Sequence, residues 1–226
     1  VNRGFCGQAG AVAPEKEHEP VDGTGGMRYR REIRRAVRRF FDDLAPRWDA
    51  VIDPDHGRRL AALLSCIEWS EPVLDVGAGT GILWEVLQAI GVPREAVVAI
   101  ALAPRMLAAP RCAPPDRVAA DVHDLPFAGG LFGTVVCNSC LPHFDQLDRA
   151  LDELARVLRP DGLLVVCHSE PREAINRRHR ETGGVVGGHK LPDPAALGAM
   201  LWSRGVVPEV LMDGPGGYLV TARKGP

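Results

Sequence analysis

The sequence predicts an α/β fold in which helices cover both faces of a mostly parallel seven-strand sheet and an N-terminal helical cap precedes the sheet. The first observation behind this prediction is that short apolar, strand-like runs alternate with helical segments between Val73 and His168. The second is that two further strand-like runs flank the turn Asp213-Gly-Pro-Gly-Gly217, which is typical of a hairpin. We therefore expect the last strand to run opposite to the others.

The composition is that of a globular chain and argues against several classes of protein. Of its 226 residues, 46% are hydrophobic and 25% are charged, and 27 basic against 29 acidic side chains leave a formal net charge of −2. This balance gives no bias toward nucleic acid. No apolar run reaches the roughly 18–20 residues that span a bilayer, and residues 1–26 lack the features of an export signal. We expect one soluble, cytoplasmic domain with no membrane partner and with its six cysteines reduced.

The N-terminal region is predicted to consist of a tail followed by the helical cap. Residues 1–26 contain Gly, Pro and Glu without a hydrophobic period, so we expect a disordered tail. From Met27, apolar residues recur every three or four positions, which predicts a helix whose other faces carry seven arginines between Arg28 and Arg39. A second helix is predicted over about 56–67, so the cap spans 27–70.

The region after the cap supplies the strands. Val73 to Val76 form an apolar run closed by glycines, and 82–90 follows as a helix. The same pattern predicts strands at 97–101, 118–120, 134–138, 163–168, 209–212 and 218–222, and helices at 104–109, 146–158 and 194–204. Ligands of parallel sheets lie beyond the carboxyl ends of the strands, so the residues that follow each strand form the candidate site.

The glycine-rich turn after the first strand carries the strongest chemical signal. It reads Asp75-Val-Gly77-Ala78-Gly79-Thr-Gly81, and its glycines permit positive φ and let a ligand approach bare backbone at the start of a helix. A dinucleotide site would have the spacing G-x-G-x-x-G, with no acid at this point. The Asp75 carboxylate suits a cationic ligand and would repel a pyrophosphate. The alternative is a tight turn in which Asp75 only caps the helix.

With these residues in view, the chain resembles the class I S-adenosylmethionine-dependent methyltransferases over roughly Phe40 to Lys224. Phe40 to Asp49 resembles the entry segment of the small-molecule branch near the quinone-biosynthesis methyltransferases, and Val73 to Gly81 resembles the first family motif. Asp121 to Phe127 resembles the adenine-side motif, and Leu154 to Gly162 the segment that enters the fifth strand. The resemblance implies a Rossmann-like fold, S-adenosylmethionine as cofactor and a small-molecule methyl acceptor.

The resemblance also implies roles for residues at the methionine end of the cofactor. Gly77, Ala78 and Gly79 would hold the methionine end, and Asp75 would position the ammonium group or the loop. Asn138, at the end of the fourth strand, would lie near the methionine moiety.

A second set of residues would hold the adenine side. Asp121 would accept from the adenine amino group and Val122 would flank the ring. Phe41 and Trp48 would close over the cofactor, with ordinary packing of the cap on the sheet as the alternative.

Two positions depart from the family pattern. The second strand usually ends in an acid that binds both ribose hydroxyls, but here Ala101 stands in its place, followed by Leu102. Three outcomes stay open: another group compensates, cofactor binding is weak, or the chain is a non-catalytic binding or scaffold protein. Gly133 replaces an aspartate, and we expect this change to be structural.

Histidines mark the expected acceptor side. His143 follows the fourth strand and is the candidate catalytic base or acceptor contact, with a helix-start histidine bonded to backbone as the alternative. His168 ends the fifth strand, and His179 and His189 lie in the irregular segment 169–192. We name this segment the insert, and expect either a lid that recognises the acceptor or a plain surface excursion.

Two further interpretations, a site for a metal or a thiophilic acceptor and an RNA methyltransferase, have less support in the sequence. Cys137 and Cys140 have a spacing that a soft metal or a thiophilic acceptor would use, but no second such pair exists and we predict no metal site. The arginine-rich helix would suit an RNA methyltransferase. However, the fourth strand ends in Asn138-Ser-Cys-Leu, without the Pro-Pro-aromatic signature of base-amino methylation, and a solvated basic face is the simpler interpretation.

Overall fold

The computed structural model describes residues 23–109 and 116–226. Its strands are β1 (Val73–Val76), β2 (Val97–Ala101), β3 (Asp116–Ala119), β4 (Phe132–Asn138), β5 (Leu158–His168), β6 (Val206–Gly214) and β7 (Gly217–Lys224). They form one sheet in the order β3-β2-β1-β4-β5-β7-β6. All pairings are parallel except those of β7, which runs antiparallel to both β5 and β6. The predicted seven-strand sheet with a reversed last strand is therefore confirmed.

The helices lie on both faces of this sheet. They are α1 (Gly23–Leu44), α2 (Trp48–Val51), α3 (His56–Leu64), α4 (Ile82–Ala89), α5 (Pro104–Leu107), α6 (Leu147–Val157), α7 (Arg172–Thr182) and α8 (Pro194–Trp202). Apolar residues of α6, α7 and α8 share one core cluster with the sheet, and those of α3 and α4 share the other. None of the helices in the two described ranges is both long and apolar enough to cross a membrane.

Strand periodicity decides which face each site residue meets. In β5, Leu164 and Val166 pack with the α6–α8 cluster while Val165 and Cys167 pack with the α3–α4 cluster. Alternate residues of a strand point to opposite faces. His168 therefore lies on the α6–α8 face. By the same alternation Asp75 lies on the α3–α4 face.

Several boundaries differ from the sequence predictions; β5, for example, begins at Leu158, five residues before the predicted start at Leu163. Helix α1 begins at Gly23, four residues before the predicted start at Met27, so residues 23–26 of the predicted tail are helical, while residues 1–22 lie outside the described residues. Extending a formed helix costs much less than starting one, which lets the helix run into this glycine-rich stretch. Helix α3 ends at Leu64, three residues earlier than predicted.

The insert is not irregular, and this corrects the prediction for 169–192. It contains α7 and a 3₁₀ turn over Gly184–Val186. In α7 only Ile175 and Asn176 are buried, so the helix carries no apolar period that the sequence could display.

Gly133 is structural, as predicted. A Cβ atom at this position would lie 2.5 Å from the carbonyl oxygen of Ser70 and 2.7 Å from that of Glu71. The main chain before β1 thus passes directly against β4, and no larger residue fits.

Candidate functional site

The turns after four parallel strands meet at one edge of the sheet. The Ala78 N–H donates to the Ile100 carbonyl oxygen at 2.9 Å, which ties the turn after β1 to the end of β2. The Cys140 thiol donates to the Val76 carbonyl oxygen at 3.0 Å, and the Ser139 N–H donates to that of Cys167 at 2.9 Å. The predicted site residues after β1, β2, β4 and β5 are therefore brought together.

The glycines of the turn after β1 have different functions. Gly77, Gly79 and Gly81 adopt φ values of +71°, +59° and +99°, which side chains other than glycine disfavour. A Cβ atom on Gly77 would overlap Cys140, so this glycine serves close packing within the protein. The nearest atoms to a Cβ atom on Gly79 are 3.9 Å away, and one of them is Trp48 Nε1. Bare backbone that an incoming ligand can reach is therefore found at Gly79.

Asp75 lies beneath this turn without a partner. Its side chain is buried, and neither carboxylate oxygen has a hydrogen bond within the described residues. Burial raises the pKa of the Asp75 carboxyl to about 7. The alternative that Asp75 caps α4 is wrong, because Gly81 occupies that position with no side-chain hydrogen bond. An unsatisfied buried acceptor costs roughly 1–3 kcal/mol, so the fold maintains a carboxyl that a cationic ligand would satisfy.

Asn138 projects to the same face as Asp75. Asp75 pairs in register with Val136 of β4, and Asn138 is two residues further along that strand. The Asn138 amide oxygen accepts from the Ser139 hydroxyl at 3.3 Å, and the side chain is buried. The two residues expected near the methionine end are thus neighbours.

The cap covers the glycine turn. The Thr80 hydroxyl donates to Asp49 Oδ1 at 2.7 Å, which fastens α2 to the turn. Trp48 and Phe41 have ring centroids 5.9 Å apart and pack against a small cluster with Ala103. Phe41 and Trp48 therefore pack together in the cap, and the indole of Trp48 also lies beside Gly79.

Asp121 is the centre of a polar network at the adenine-side motif. Its Oδ2 accepts from Arg34 Nη1 at 2.9 Å, and its Oδ1 accepts from the His123 N–H at 3.0 Å and lies 2.5 Å from His123 Nδ1. Asp145 completes a ring, since its Oδ1 contacts Arg34 Nε at 3.1 Å and His123 Nε2 at 3.2 Å. Burial raises the pKa of Asp121, but the hydrogen bonds from His123 and the charge of Arg34 outweigh burial and hold it well below its usual range.

Sequence reasoning missed this network. Val122, the next residue, is buried. No local pattern, however, links Arg34 to a carboxylate 87 positions later. Arg34 differs from the other six arginines of α1, whose residues are exposed, so the basic face is solvated except at this contact.

The end of β2 lacks an acid, as the sequence shows. Ala101 is buried there and Leu102 is half-buried. A carboxylate from the cap lies just beyond this point, because Asp42 Oδ1 accepts the Arg105 N–H of α5 at 2.9 Å. Asp42 thereby caps α5, where Ala103 offers no side-chain hydrogen bond.

His143 belongs to a cluster of histidines. Its Nδ1 lies 2.8 Å from Nδ1 of His189, and its ring centroid is 5.0 Å from those of His179 and His189 and 4.9 Å from that of Phe41. The alternative of a helix-start histidine bonded to backbone is wrong, because His143 ends the 3₁₀ turn Leu141–His143 and its ring pairs with another imidazole. Burial, and then the charges that His189, His179 and His168 would carry, depress the pKa of His143 well below its usual range.

The insert brings two of these histidines to the site. The Asn176 side chain closes the insert on itself, since its Nδ2 donates to the Leu191 carbonyl oxygen at 3.2 Å and its Oδ1 accepts the Leu191 N–H at 2.7 Å. The Arg172 N–H donates to Asp213 Oδ1 at 2.9 Å, which fixes the start of α7 to β6. His179 and His189 are thus presented to His143 by a closed unit.

The cysteine pair is buried and not arranged for thiolate chemistry. Cys137 is buried inside β4. The pKa of the Cys140 thiol is raised by burial and, to a smaller extent, by the neighbouring Cys137. A raised pKa keeps a thiol protonated, and only the thiolate is a strong nucleophile or metal ligand. Within residues 23–109 and 116–226, no group of three or more His, Cys, Asp or Glu side chains is placed to hold a metal ion.

Comparison with known proteins gives the relatives of this chain. A family profile described as a methyltransferase domain matches residues 74–166. A malonyl-[acyl-carrier protein] O-methyltransferase from Halorhodospira halophila is 35% identical over an alignment of 189 positions, which covers 79% of this chain and 63% of that protein. A demethylmenaquinone methyltransferase from Thermus thermophilus is 31% identical over an alignment of 200 positions, which covers 74% of this chain and 90% of that protein. The chain thus spans less than two thirds of the first relative and nearly all of the second.

Solved structures share the fold. The 1,6-didemethyltoxoflavin-N1-methyltransferase from Burkholderia thailandensis, solved with 1,6-didemethyltoxoflavin and S-adenosylhomocysteine, superposes with a TM-score of 0.61 at 21% identity. The match covers 93% of this chain and 94% of that one. At this identity the likeness shows the fold alone.

Proposed function

The chain belongs to the S-adenosylmethionine-dependent methyltransferase family, and from this premise we propose that it transfers a methyl group from S-adenosylmethionine to a small-molecule acceptor. The observation that carries the proposal is the buried, unpartnered Asp75 carboxyl beneath a turn of positive-φ glycines. S-adenosylmethionine carries a cationic ammonium and a cationic sulfonium. A carboxylate that has no internal partner fits such a ligand and disfavours a pyrophosphate.

The proposal assigns the cofactor-binding residues as follows. Gly77, Ala78 and Gly79, with Asp75 and Asn138 below them, hold the methionine end. Two further groups complete the cofactor site: Asp121 and Val122 at the adenine, and Ala101 and Leu102 near the ribose, with Trp48 as the cover. Because Asp121 already accepts from Arg34 and His123, the adenine amino group would share a carboxylate whose negative charge these neighbours hold in place.

The bound cofactor would supply an electrophilic methyl group on its sulfonium. Transfer by in-line displacement requires alignment and exclusion of water more than acid–base chemistry. Phe41, Trp48 and the insert would keep water out. His143 would take the proton of a hydroxyl acceptor, since its lowered pKa leaves the imidazole neutral and able to accept at neutral pH. His189, on the insert, would hold the ring of His143 through their Nδ1 contact.

The relatives indicate the range of acceptors. One is named for O-methylation of a malonyl group on acyl-carrier protein and the other for methylation of demethylmenaquinone. We infer a small-molecule acceptor on this basis. We also infer a reducing compartment such as the cytoplasm, because Cys66, Cys137, Cys140 and Cys167 are all free thiols.

Calorimetric titration with S-adenosylhomocysteine tests the proposal. We expect saturable binding to the wild type, and about tenfold or greater weakening in Asp75→Asn, since a charge-assisted contact contributes roughly 1.5–3 kcal/mol. Asp116→Asn is the matched control, because Asp116 is exposed on β3, and it should bind as the wild type does. Absence of binding to the wild type, or equal binding by Asp75→Asn, would contradict the proposal.

A further inference from the structure

Two buried polar side chains beside the histidine cluster have no partner within the described residues. His168 ends β5 and is 1% exposed, and Tyr218 of β7 is 0% exposed. In the described part of the chain, the two ring nitrogens of His168 form no hydrogen bond, and the Tyr218 hydroxyl forms none either. Buried polar groups in native proteins nearly always have a hydrogen-bond partner, so two neighbouring groups that lack one require an explanation.

The two side chains form one feature of the sheet. His168 and Tyr218 are directly opposite in the antiparallel register of β5 and β7, and their ring centroids lie 5.9 Å apart with the planes at 89°. Both are on the α6–α8 face, at the edge where the parallel strands end. His168 follows Cys167, whose carbonyl oxygen accepts the Ser139 N–H at 2.9 Å, so His168 ends β5 beside the turn that carries His143. His168 and Tyr218 therefore lie at the same edge of the sheet as the residue that we assign to the acceptor.

Both groups are neutral near pH 7. Burial, and then the charges of His179 and His56, lower the pKa of His168 to about 3. Burial, and then the nearby Asp193 and Asp213, raise the pKa of Tyr218. A neutral imidazole has one donor and one acceptor nitrogen, and a phenol also both donates and accepts. Such a pair suits a neutral hydroxyl or carbonyl group, whereas an anion or cation buried here would find no countercharge on it.

We propose that His168 and Tyr218 are the polar anchor of the methyl-acceptor site and bind a neutral hydroxyl or carbonyl group of the acceptor. The assignment of this ligand as the methyl acceptor rests on the proposed function, but the binding itself does not. Both side chains are buried, and Ile175 and Leu191 of the insert belong to the same core cluster as Tyr218, so the acceptor would enter when the insert moves away. A structural water held between the two side chains is the competing explanation.

Three related probes and one isosteric variant test the anchor. 1-Naphthol carries a neutral hydroxyl where 1-methylnaphthalene carries a methyl group, and 1-naphthoate carries an anion. Binding of each probe is measured by ligand-observed NMR, with and without S-adenosylhomocysteine. We expect the wild type to prefer 1-naphthol over both other probes by about tenfold, and Tyr218→Phe to reduce its preference over 1-methylnaphthalene to about threefold or less.

The control and the stability readout separate the two explanations. Tyr29→Phe makes the same chemical change at a 54% exposed site on α1 and should keep the full preference. Because the Tyr218 hydroxyl has no hydrogen-bond partner among residues 23–109 and 116–226, Tyr218→Phe should melt at the wild-type temperature or above it. A second variant, His168→Leu, should lose the preference as well.

Several results would overturn the anchor. A wild type that binds 1-naphthol no better than 1-methylnaphthalene, or binds neither, contradicts it, as does a tighter complex with 1-naphthoate. A fall in melting temperature for Tyr218→Phe with unchanged probe preference identifies a structural water. Failure of S-adenosylhomocysteine to bind in the same samples would contradict the proposed function instead, since the probes are also measured without it.

Discussion

Nδ1 of His143 lies 2.8 Å from Nδ1 of His189, so a ring in the turn after β4 and a ring in the insert share one proton. One nitrogen donates and the other accepts, which requires that at least one ring be neutral. The contact is a direct link between the candidate base and the segment that covers the site. Its strength therefore depends on the protonation state of the cluster.

The insert should open in acid. Burial, first of all, lowers the pKa of His143, His179 and His189. Below pH 6.5, the protein with the insert closed therefore binds fewer protons than the protein with the insert open. The closed form consequently becomes less stable relative to the open form as pH falls. Arg178 adds positive charge beside His179, Asp145 partly offsets such charge at His189, and His168 stays neutral in this pH range. We expect faster amide exchange in 172–191 at pH 5.5 than at pH 7.5, after correction for the chemical rate.

Hydrogen-exchange mass spectrometry checks this, with α6 as the internal control. His189→Asn should remove much of the pH difference in 172–191 and leave α6 unchanged. Equal protection of the insert at both pH values would show that the histidine cluster does not hold it.

Asp75 should make the protein less stable as pH rises. Its folded-state pKa is about 7 and its ordinary value is 3.8, so between these values the folded chain holds a proton that the unfolded chain has lost. The free energy of unfolding contributed by this group therefore falls from pH 4 to pH 7, by on the order of 3 kcal/mol, and is level above pH 7.

Urea unfolding of the wild type and Asp75→Asn at pH 5 and pH 8 measures this contribution. The amide does not titrate, so from pH 5 to pH 8 the variant should gain stability relative to the wild type. Titration of the histidines changes the stability of both proteins equally and cancels in this difference. Asp116→Asn should show no such gain. A constant difference between wild type and Asp75→Asn would mean that Asp75 has a partner in solution.

Local patterns in the sequence are sufficient to predict the sheet and the turn after β1. The limits predicted for β2 agree with Val97–Ala101, because a short buried strand bounded by helix signals is recognisable within a few residues. The need for glycine at 79 and 81 is likewise local, since it arises from positive φ, whereas Gly77 must also leave room for the distant Cys140.

Long-range contacts and charged helices are what the sequence does not reveal. Helix α7 buries only Ile175 and Asn176 and is stabilised by contacts such as that of Asn176 with Leu191, which no periodicity displays. The ion pair of Arg34 and Asp121 joins two elements whose proximity is decided by the tertiary fold. The absence of a hydrogen-bond partner for Asp75 and Tyr218 among the described residues also becomes visible only in the tertiary structure.

Gly133→Ala should strongly destabilise the fold. The added methyl group would lie 2.5 Å from the Ser70 carbonyl oxygen, and that stretch cannot retreat easily because the Ser70 N–H donates to Thr134 Oγ1 at 2.9 Å. We expect a loss of about 2–3 kcal/mol in urea unfolding. Gly57→Ala is the matched control, since its Cβ would meet only Ile82 Cδ1 at 3.5 Å, and helix α3 should gain up to about 1 kcal/mol. Similar stabilities for the two variants would contradict the close contact at Gly133.

Asp121→Ala and Arg34→Gln should separate ligand binding from attachment of the cap. Both remove the Arg34–Asp121 ion pair, and Arg34→Gln should lose about 1 kcal/mol of stability. Asp121→Ala also takes the acceptor away from the buried His123 N–H and Nδ1, so it should lose roughly 1–3 kcal/mol more. Asp121→Ala should also weaken S-adenosylhomocysteine binding by about tenfold or more in calorimetry, whereas Arg34→Gln should change it by less than about threefold. Equal weakening by both variants would mean that α1, and not the Asp121 carboxylate, is what the cofactor needs.

Ala101→Asp should tighten cofactor binding, because it places a carboxylate at the end of β2, where the family usually has one for the ribose hydroxyls. Two charge-assisted hydrogen bonds would strengthen S-adenosylhomocysteine binding by about tenfold or more in calorimetry. Ala101→Asn is the matched control, since it has nearly the same shape without the charge and should gain much less. Unchanged affinity in a folded Ala101→Asp variant would mean that another group already holds the ribose. Asp42 would then be the residue to replace, because its carboxylate reaches α5 four residues beyond Ala101 through the Arg105 N–H.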